Sequence, residues 1–146
     1  GDLTLPNPNG STWTIGLKKA QQIVILVTGN LNIKGQVAII GGQQNFIAFI
    51  VGGNILLSTE GMDASETQQK VEGVYIADGT ISTNQSNKQL NGRGVFVGWG
   101  GFSLKRDLGE TNETTPAEFF EYDVNLLMKA PTQVMHRPFV WEEIAP

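Results

Sequence analysis

Ile25-Leu26-Val27-Thr28-Gly29-Asn30-Leu31 returns three times along the chain, as Phe49-Ile50-Val51-Gly52-Gly53-Asn54-Ile55, as Val74-Tyr75-Ile76-Ala77-Asp78-Gly79-Thr80 and as Val95-Phe96-Val97-Gly98-Trp99-Gly100-Gly101. Each copy is a β-branched or aromatic run that stops at a glycine-bearing turn. With Val27, Val51, Ile76 and Val97 taken as equivalent, the repeats measure 24, 25 and 21 residues. At that length one strand-bearing unit stacks on the next and buries a face it cannot bury alone. These spacings predict a mainly β fold, a short right-handed parallel β-solenoid (β-helix) of about four rungs. The hand follows from the crossover preference of parallel strands.

Side-chain alternation sharpens the expectation. In a strand, successive residues point to opposite faces. Ile25 and Val27, Phe49 and Val51, Val74 and Ile76, and Val95 and Val97 then share one face. The other face carries Val24, Leu26, Ala48, Ile50, Gly73, Tyr75, Gly94 and Phe96 and is also apolar. A sheet apolar on both sides needs cover on both. Thr115-Pro116-Ala117-Glu118 reads as a helix start, followed by Phe120, Val124 and Leu127 on one helical face with Met128 beside them, and Pro131 as a stop. A helical cover over 115–130, as one helix or two short ones, is therefore expected on the outer face of the solenoid. Asn30 and Asn54 occupy one repeat position, where stacked amides bond up the coil as a ladder.

At 146 residues the chain is one domain, 1–146. It divides into an N-terminal cap (1–20), repeats (21–108), the helical cover (115–130) and a C-terminal tail (131–146). The cap opens with a Pro/Asn/Gly turn cluster and continues as a strand in which Trp13, Ile15 and Leu17 face inward; the tail holds Phe139-Val140-Trp141 as a last strand or anchor. Gly61 to Lys70 and Thr83 to Gln89 read as connecting loops.

Ten basic and 14 acidic residues give a net charge of −4, which is not the footprint of a chain that grips phosphate backbones. Nucleic acid is not an expected partner. No apolar run reaches the ~18 residues that cross a bilayer, so a soluble domain without membrane insertion is expected. Gly1 reads either as a chosen cut or as the start of a processed fragment of a longer chain, the second being the preferred expectation. The absence of cysteine excludes disulfides, thiolate metal sites and a cysteine nucleophile. Eighteen glycines among few charges lean toward an extracellular β-rich protein.

Chemistry-bearing residues are sparse. Asp78 is the one acid within the four phrases, and an Asp before Gly79 reads as a turn residue. Glu60 and Glu72 flank the strands without an acidic repeat partner, so no acid/base pair of the glycosidase kind is visible. His136 is the only histidine and sits beside Arg137-Pro138 in the tail, without partners for a zinc site or a triad. Gly41-Gly42 and Gly98-Trp99-Gly100-Gly101 lack the Lys-Ser/Thr of a phosphate loop. Lys105-Arg106-Asp107 reads as a local surface pair or a binder of loop carbonyls, of little weight for stability. Trp99 with Arg93 suggests a sugar-stacking platform, with core packing as the competing reading. Asn9, Asn84 and Asn112 head glycosylation-type triplets. No catalytic, cofactor-binding or metal-binding residue is assigned.

Val71 to Ile81, Gly98 to Gly109, Thr114-Thr115-Pro116-Ala117-Glu118 and Trp141-Glu142-Glu143-Ile144-Ala145-Pro146 resemble a domain at the carboxyl-terminal ends of large uncharacterised bacterial surface proteins, many from candidate phyla. The resemblance implies that Pro146 is a natural terminus and that an extracellular or membrane-tethered polypeptide precedes Gly1. It implies no activity for any residue. The architecture is also similar to that of polymer-forming β-solenoids in fold pattern only. The expected function is a non-enzymatic structural module of a bacterial cell surface, self-assembling into a filament or layer as a homo-oligomer. The alternatives are a glycan- or surface-binding adhesin that uses Trp99 and Asn84 to Gln89, and, behind it, a polysaccharide-degrading enzyme.

Overall fold

The computed structural model describes residues 1–5, 13–16, 20–40, 45–60 and 62–132. Its chain winds through twelve strands: β1 (Leu3–Leu5), β2 (Trp13–Gly16), β3 (Gln22–Val27), β4 (Leu31–Lys34), β5 (Val37–Ile40), β6 (Phe46–Val51), β7 (Ile55–Ser58), β8 (Gln68–Ala77), β9 (Ile81–Thr83), β10 (Gln89–Gly98), β11 (Phe102–Ser103) and β12 (Glu118–Tyr122). One helical turn, α1 (Val124–Met128), follows. Among the described residues every strand pairing is parallel. The result is a solenoid-like stack of about four turns with three faces. β3, β6 and the second arms of β8 and β10 form the first face. The second is β1, β4, β7, β9 and β11, and the third is β2, β5, the first arms of β8 and β10, and β12.

Two ten-residue strands each serve two faces because glycine lets them turn a corner. Gly73 and Gly94 sit mid-strand at φ +133° and +138°, a region closed to residues with a Cβ. They lie directly above one another in the ladder. A Cβ on Gly94 would stand 2.0 Å from the Gly73 carbonyl oxygen. The residue above Gly94 is Tyr122. At that corner the last rung carries a side chain instead of a glycine, and there the chain leaves the coil for Asp123 and α1.

The core is a set of columns running up the stack. Leu31, Ile55 and Ile81 lie one above another on the second face between Leu3 and Phe102, and all three are fully buried. On the first face Ile25, Phe49, Tyr75 and Phe96 form an inward column. The Phe49–Tyr75 and Tyr75–Phe96 rings stack at 5.2 and 5.0 Å between centroids, and Phe120 meets Phe96 edge-on at 5.0 Å. Each such pair adds about 0.5–1.5 kcal/mol to simple area burial.

This register corrects the expected parity. Val51 pairs with Ala77, not Ile76, and Ile76 pairs with Ile50. The equivalent residues are Val27, Val51, Ala77 and Gly98, so the repeats measure 24, 26 and 21 residues. A one-residue slip exchanges the two faces of a strand. Tyr75, Ala77 and Phe96 therefore point inward, whereas Val74, Ile76, Val95 and Val97 lie on the outside.

The helix expected over 115–130 is also corrected. Its first half, Glu118–Tyr122, is strand β12, in register with Leu90–Gly94. The backbone groups along the upper edge of β10 need partners, and Phe120 completes the aromatic column, so ladder formation overrides the Pro-started helical pattern. What remains helical is the five residues of α1. Leu126 is buried there against Phe46, Ala48 and Val74 on the outside of the first face. The carbonyl of Lys129 accepts a 2.7 Å hydrogen bond from Gln22 Nε2 at the opposite end of the stack.

The cap region contributes two strands of the coil, β1 and β2, where the sequence pattern predicts one. The inward placement of Trp13, Ile15 and Leu17 and the structure of the Phe139-Val140-Trp141 tail lie outside the described residues. The Gly61–Lys70 connection is shorter than expected, since β8 begins at Gln68.

Candidate functional site

The turn between the first and second faces holds the amide ladder. Asn54 N and Nδ2 donate to Asn30 Oδ1 at 2.9 and 3.3 Å. Asp2 Oδ1 accepts in the same way from Asn30 below, and Asn54 Oδ1 accepts from the Thr80 amide above at 2.8 Å. Beside it runs a glycine column in which Gly53, Gly79 and Gly100 donate to the carbonyls of Gly29, Gly53 and Gly79. A Cβ on Gly79 would stand 2.3 Å from Asn54 Oδ1, so the ladder and the column require each other.

A second polar cluster lies inside the coil, between the second and third faces. Arg106 is only 7 % exposed. Its guanidinium donates to the Leu57 carbonyl at 3.1 Å, to the Lys88 carbonyl at 3.3 Å and to Gln69 Oε1. Gln69, fully buried, donates in turn to the carbonyls of Gly35 and Ser58. Glu118 Oε1 accepts from Arg106 N at 2.8 Å and from Thr83 Oγ1 at 3.0 Å. Burial pulls the Arg106 pKa down to about 10, with the Glu118 charge acting in the opposite direction. Arg106 is thus an internal tie across rungs and not one half of a surface pair with Asp107; the carbonyl-binding half of the sequence expectation holds.

The three acids singled out by sequence go to three different corners. Glu60 follows β7 and pairs at 2.8 Å with Lys34 on an exposed surface. Glu72 adjoins Gly73, and its Oε2 accepts from Ile39 N at 2.9 Å. Asp78 is exposed in the turn after β8, where its amide donates to the Val51 carbonyl. The fold brings no two of them together.

Arg93 and Trp99 are not brought together either. Arg93 precedes the Gly94 corner and pairs with Asp123 at 3.2 Å, whereas Trp99 lies beyond the far end of β10, roughly 17–20 Å along the strand. Trp99 is 77 % exposed. Burial raises the Asp123 pKa, but hydrogen bonds from Asn125 and the nearby Arg93 and Lys129 charges outweigh it and hold the carboxyl below its ordinary value. Glu72, Arg93, Asp123 and Lys129 line a polar cavity of about 160 Å³ beneath α1, a grouping that no motif in the sequence announces.

The Asn84–Gln89 run is bound into the coil. Asn84 Oδ1 accepts from Thr59 N at 3.0 Å and its amide donates to Thr59 Oγ1. Gln68 donates to Gln89, which donates to the Pro116 carbonyl. Lys88 Nζ holds the Asp63 and Glu66 carbonyls of the neighbouring loop. Asn112 bonds Leu108 and Asp107. His136, Gly41-Gly42 and Asn9 lie outside the described residues. Among the described residues no three metal-ligating side chains converge and no helix is long and apolar enough to cross a membrane.

The upper end of the coil carries a mainly apolar concavity with Glu121 at its side. Val95, Phe96, Phe102, Leu104, Phe120 and Tyr122 line a cavity of about 380 Å³ above the last rung. No family model, curated protein or solved structure matches the chain.

Proposed function

We propose that this chain is a non-enzymatic structural module of a bacterial cell-surface or extracellular protein, a short rigid rod whose ends join neighbours. The observation that carries the reading is how its polar side chains are used. Asn30, Asn54, Gln69, Asn84, Gln89 and Arg106, the groups best suited to ligand recognition, are instead hydrogen-bonded from rung to rung. Such columns rigidify a stack and leave its faces free of directed chemistry. In this reading the coil is right-handed, and α1 acts as a clasp along its outer face. Self-association fits its unblunted strand edges. The test is a turnover screen on a polysaccharide panel, with electron microscopy of the purified chain at rising concentration. Turnover abolished by Asp78→Asn would reject the reading.

The exposure of Trp99 favours one alternative, a glycan- or surface-binding adhesin. A glycan array with Trp99→Ala as the control decides it: binding lost in the variant would replace the structural reading.

A further inference from the structure

We infer that the upper end of the coil is a self-complementary interface at which two copies of the chain meet head to head. The first observation is an open edge. Among the described residues no strand pairs with the upper edges of the second arm of β10, β11 or β12. Their backbone groups are a template for a further strand.

The second observation is apolar surface at the same place. Phe102, Leu104 and Tyr122 are 49, 48 and 62 % exposed around the cavity over Phe96 and Phe120. At the opposite end Leu5 and Val27 are already buried. Leu26, 73 % exposed on β3, alternates with the inward Ile25 and Val27 and so faces outward and not over the lower end; the apolar ring of the upper end is best covered by a partner that offers the same surface.

The third is the strand count. Among the described residues the second and third faces have five strands each and the first has four, because the chain departs at Tyr122 instead of turning the corner. A copy added head to tail, face upon face, would set β1 on β11 and β2 on β12. It would leave the first face one strand short between β10 and β3, with two rows of backbone groups unpaired.

A copy rotated by a half-turn about an axis through β11 leaves no such gap. Rungs lie about 4.8 Å apart, so each of the three strands in a rung climbs about a third of that. The last rung is a staircase that rises from β10 through β11 to β12. Inverted, the same staircase falls by equal steps. β10 then faces the partner's β12 and β11 faces the partner's β11, all antiparallel and at one spacing. Such a contact is isologous and closes at two copies. It places Phe96, Phe102 and Phe120 of both chains in one shared apolar layer.

The inference deepens the structural-module reading and rests on it, since it names the partner of that module's open end. The test uses the full 146-residue chain. Its lack of cysteine makes single-cysteine variants clean. Ser103→Cys lies beside the two-fold axis, and Thr4→Cys lies on β1 at the far end. Under oxidation Ser103→Cys should form a disulfide-linked dimer and Thr4→Cys should stay monomeric. In sedimentation equilibrium the untreated chain should stop at a dimer, and Phe102→Asp should weaken it by about tenfold or more with an unchanged circular dichroism spectrum. A monomer at all concentrations would overturn the inference, as would Ser103–Thr4 mixed cross-links or open-ended growth. A monomer that shows neither turnover nor glycan binding would sink the dimer and leave the module reading standing.

Discussion

Replacing Gly94 by alanine perturbs the feature that lets one strand serve two faces. Two costs add at this position. The first is backbone strain, because φ is +138° and a side chain there costs about 1–3 kcal/mol. The second is overlap, since the new Cβ would lie 2.0 Å from the Gly73 carbonyl oxygen and 2.9 Å from Leu126 Cδ1. The carbonyl belongs to the ladder and cannot retreat alone, so overpacking of about 1–3 kcal/mol is added. The expected loss is about 2–6 kcal/mol against a total stability of about 5–15 kcal/mol for an ordinary domain. Gly101→Ala is the matched control. Gly101 has φ +96°, and a Cβ there would meet nothing within 4 Å, so it carries the backbone cost alone, about 1–2 kcal/mol. Urea denaturation followed by far-ultraviolet circular dichroism separates the two. With a slope of about 1–3 kcal/mol per molar urea, the Gly94→Ala midpoint should fall about 1 M or more below that of Gly101→Ala. Equal midpoints would refute the stacked-glycine corner.

Further outcomes follow from the polar columns and the core. Asn54→Ala removes an acceptor from the Thr80 amide and a donor to Asn30, and should cost about 1–2 kcal/mol in the same urea assay. Arg106→Met leaves Gln69 Oε1 and the Leu57 and Lys88 carbonyls without the guanidinium that donates to them and should cost about 1–3 kcal/mol; Arg106→Lys, lacking the planar fork, should recover only part of it. Burial raises the pKa of Tyr75, so above about pH 10 the unfolded chain releases a proton that the folded chain keeps. The stability tied to this group is complete below that pH and declines as pH rises, by up to about 1.4 kcal/mol per unit. Tyr75→Phe should lose less stability than the parent between pH 8 and pH 11, read by urea midpoints at each pH.

The repeat phrase makes the stacking and the amide ladder legible, because an aliphatic run closed by Gly-Asn states both a strand and its turn. The register is not legible from apolar residues. Val51 and Ile76 look equivalent, but both sides of the first face are apolar, so hydrophobicity does not choose between Ile76 and Ala77. Aligning Gly29, Gly53, Gly79 and Gly100 instead yields the observed pairing, since those glycines donate to one another up the turn. The corner glycines Gly73 and Gly94 lie 21 residues apart in the ladder, and that recurrence is the signal for the third face. Residues Glu118–Tyr122 mislead because Thr115-Pro116 carries a helix-start signature, whereas the open edge that recruits them as a strand exists only once the other rungs are stacked. The Arg106 cluster has no local signal: its partners Leu57, Gln69 and Lys88 are brought to it from three other strands and loops.

The central claim is a parallel stack in which Val27, Val51, Ala77 and Gly98 lie one above another. Its most direct test is a long-range HNCO experiment that detects couplings across hydrogen bonds in the isotope-labelled chain. The amides of Gly52, Asp78 and Trp99 should correlate with the carbonyl carbons of Val27, Val51 and Ala77, whose oxygens they bond at 2.8, 2.9 and 3.0 Å. A correlation from the Ala77 amide to Val51 would contradict the register, and no correlation between these turns would contradict the stack itself.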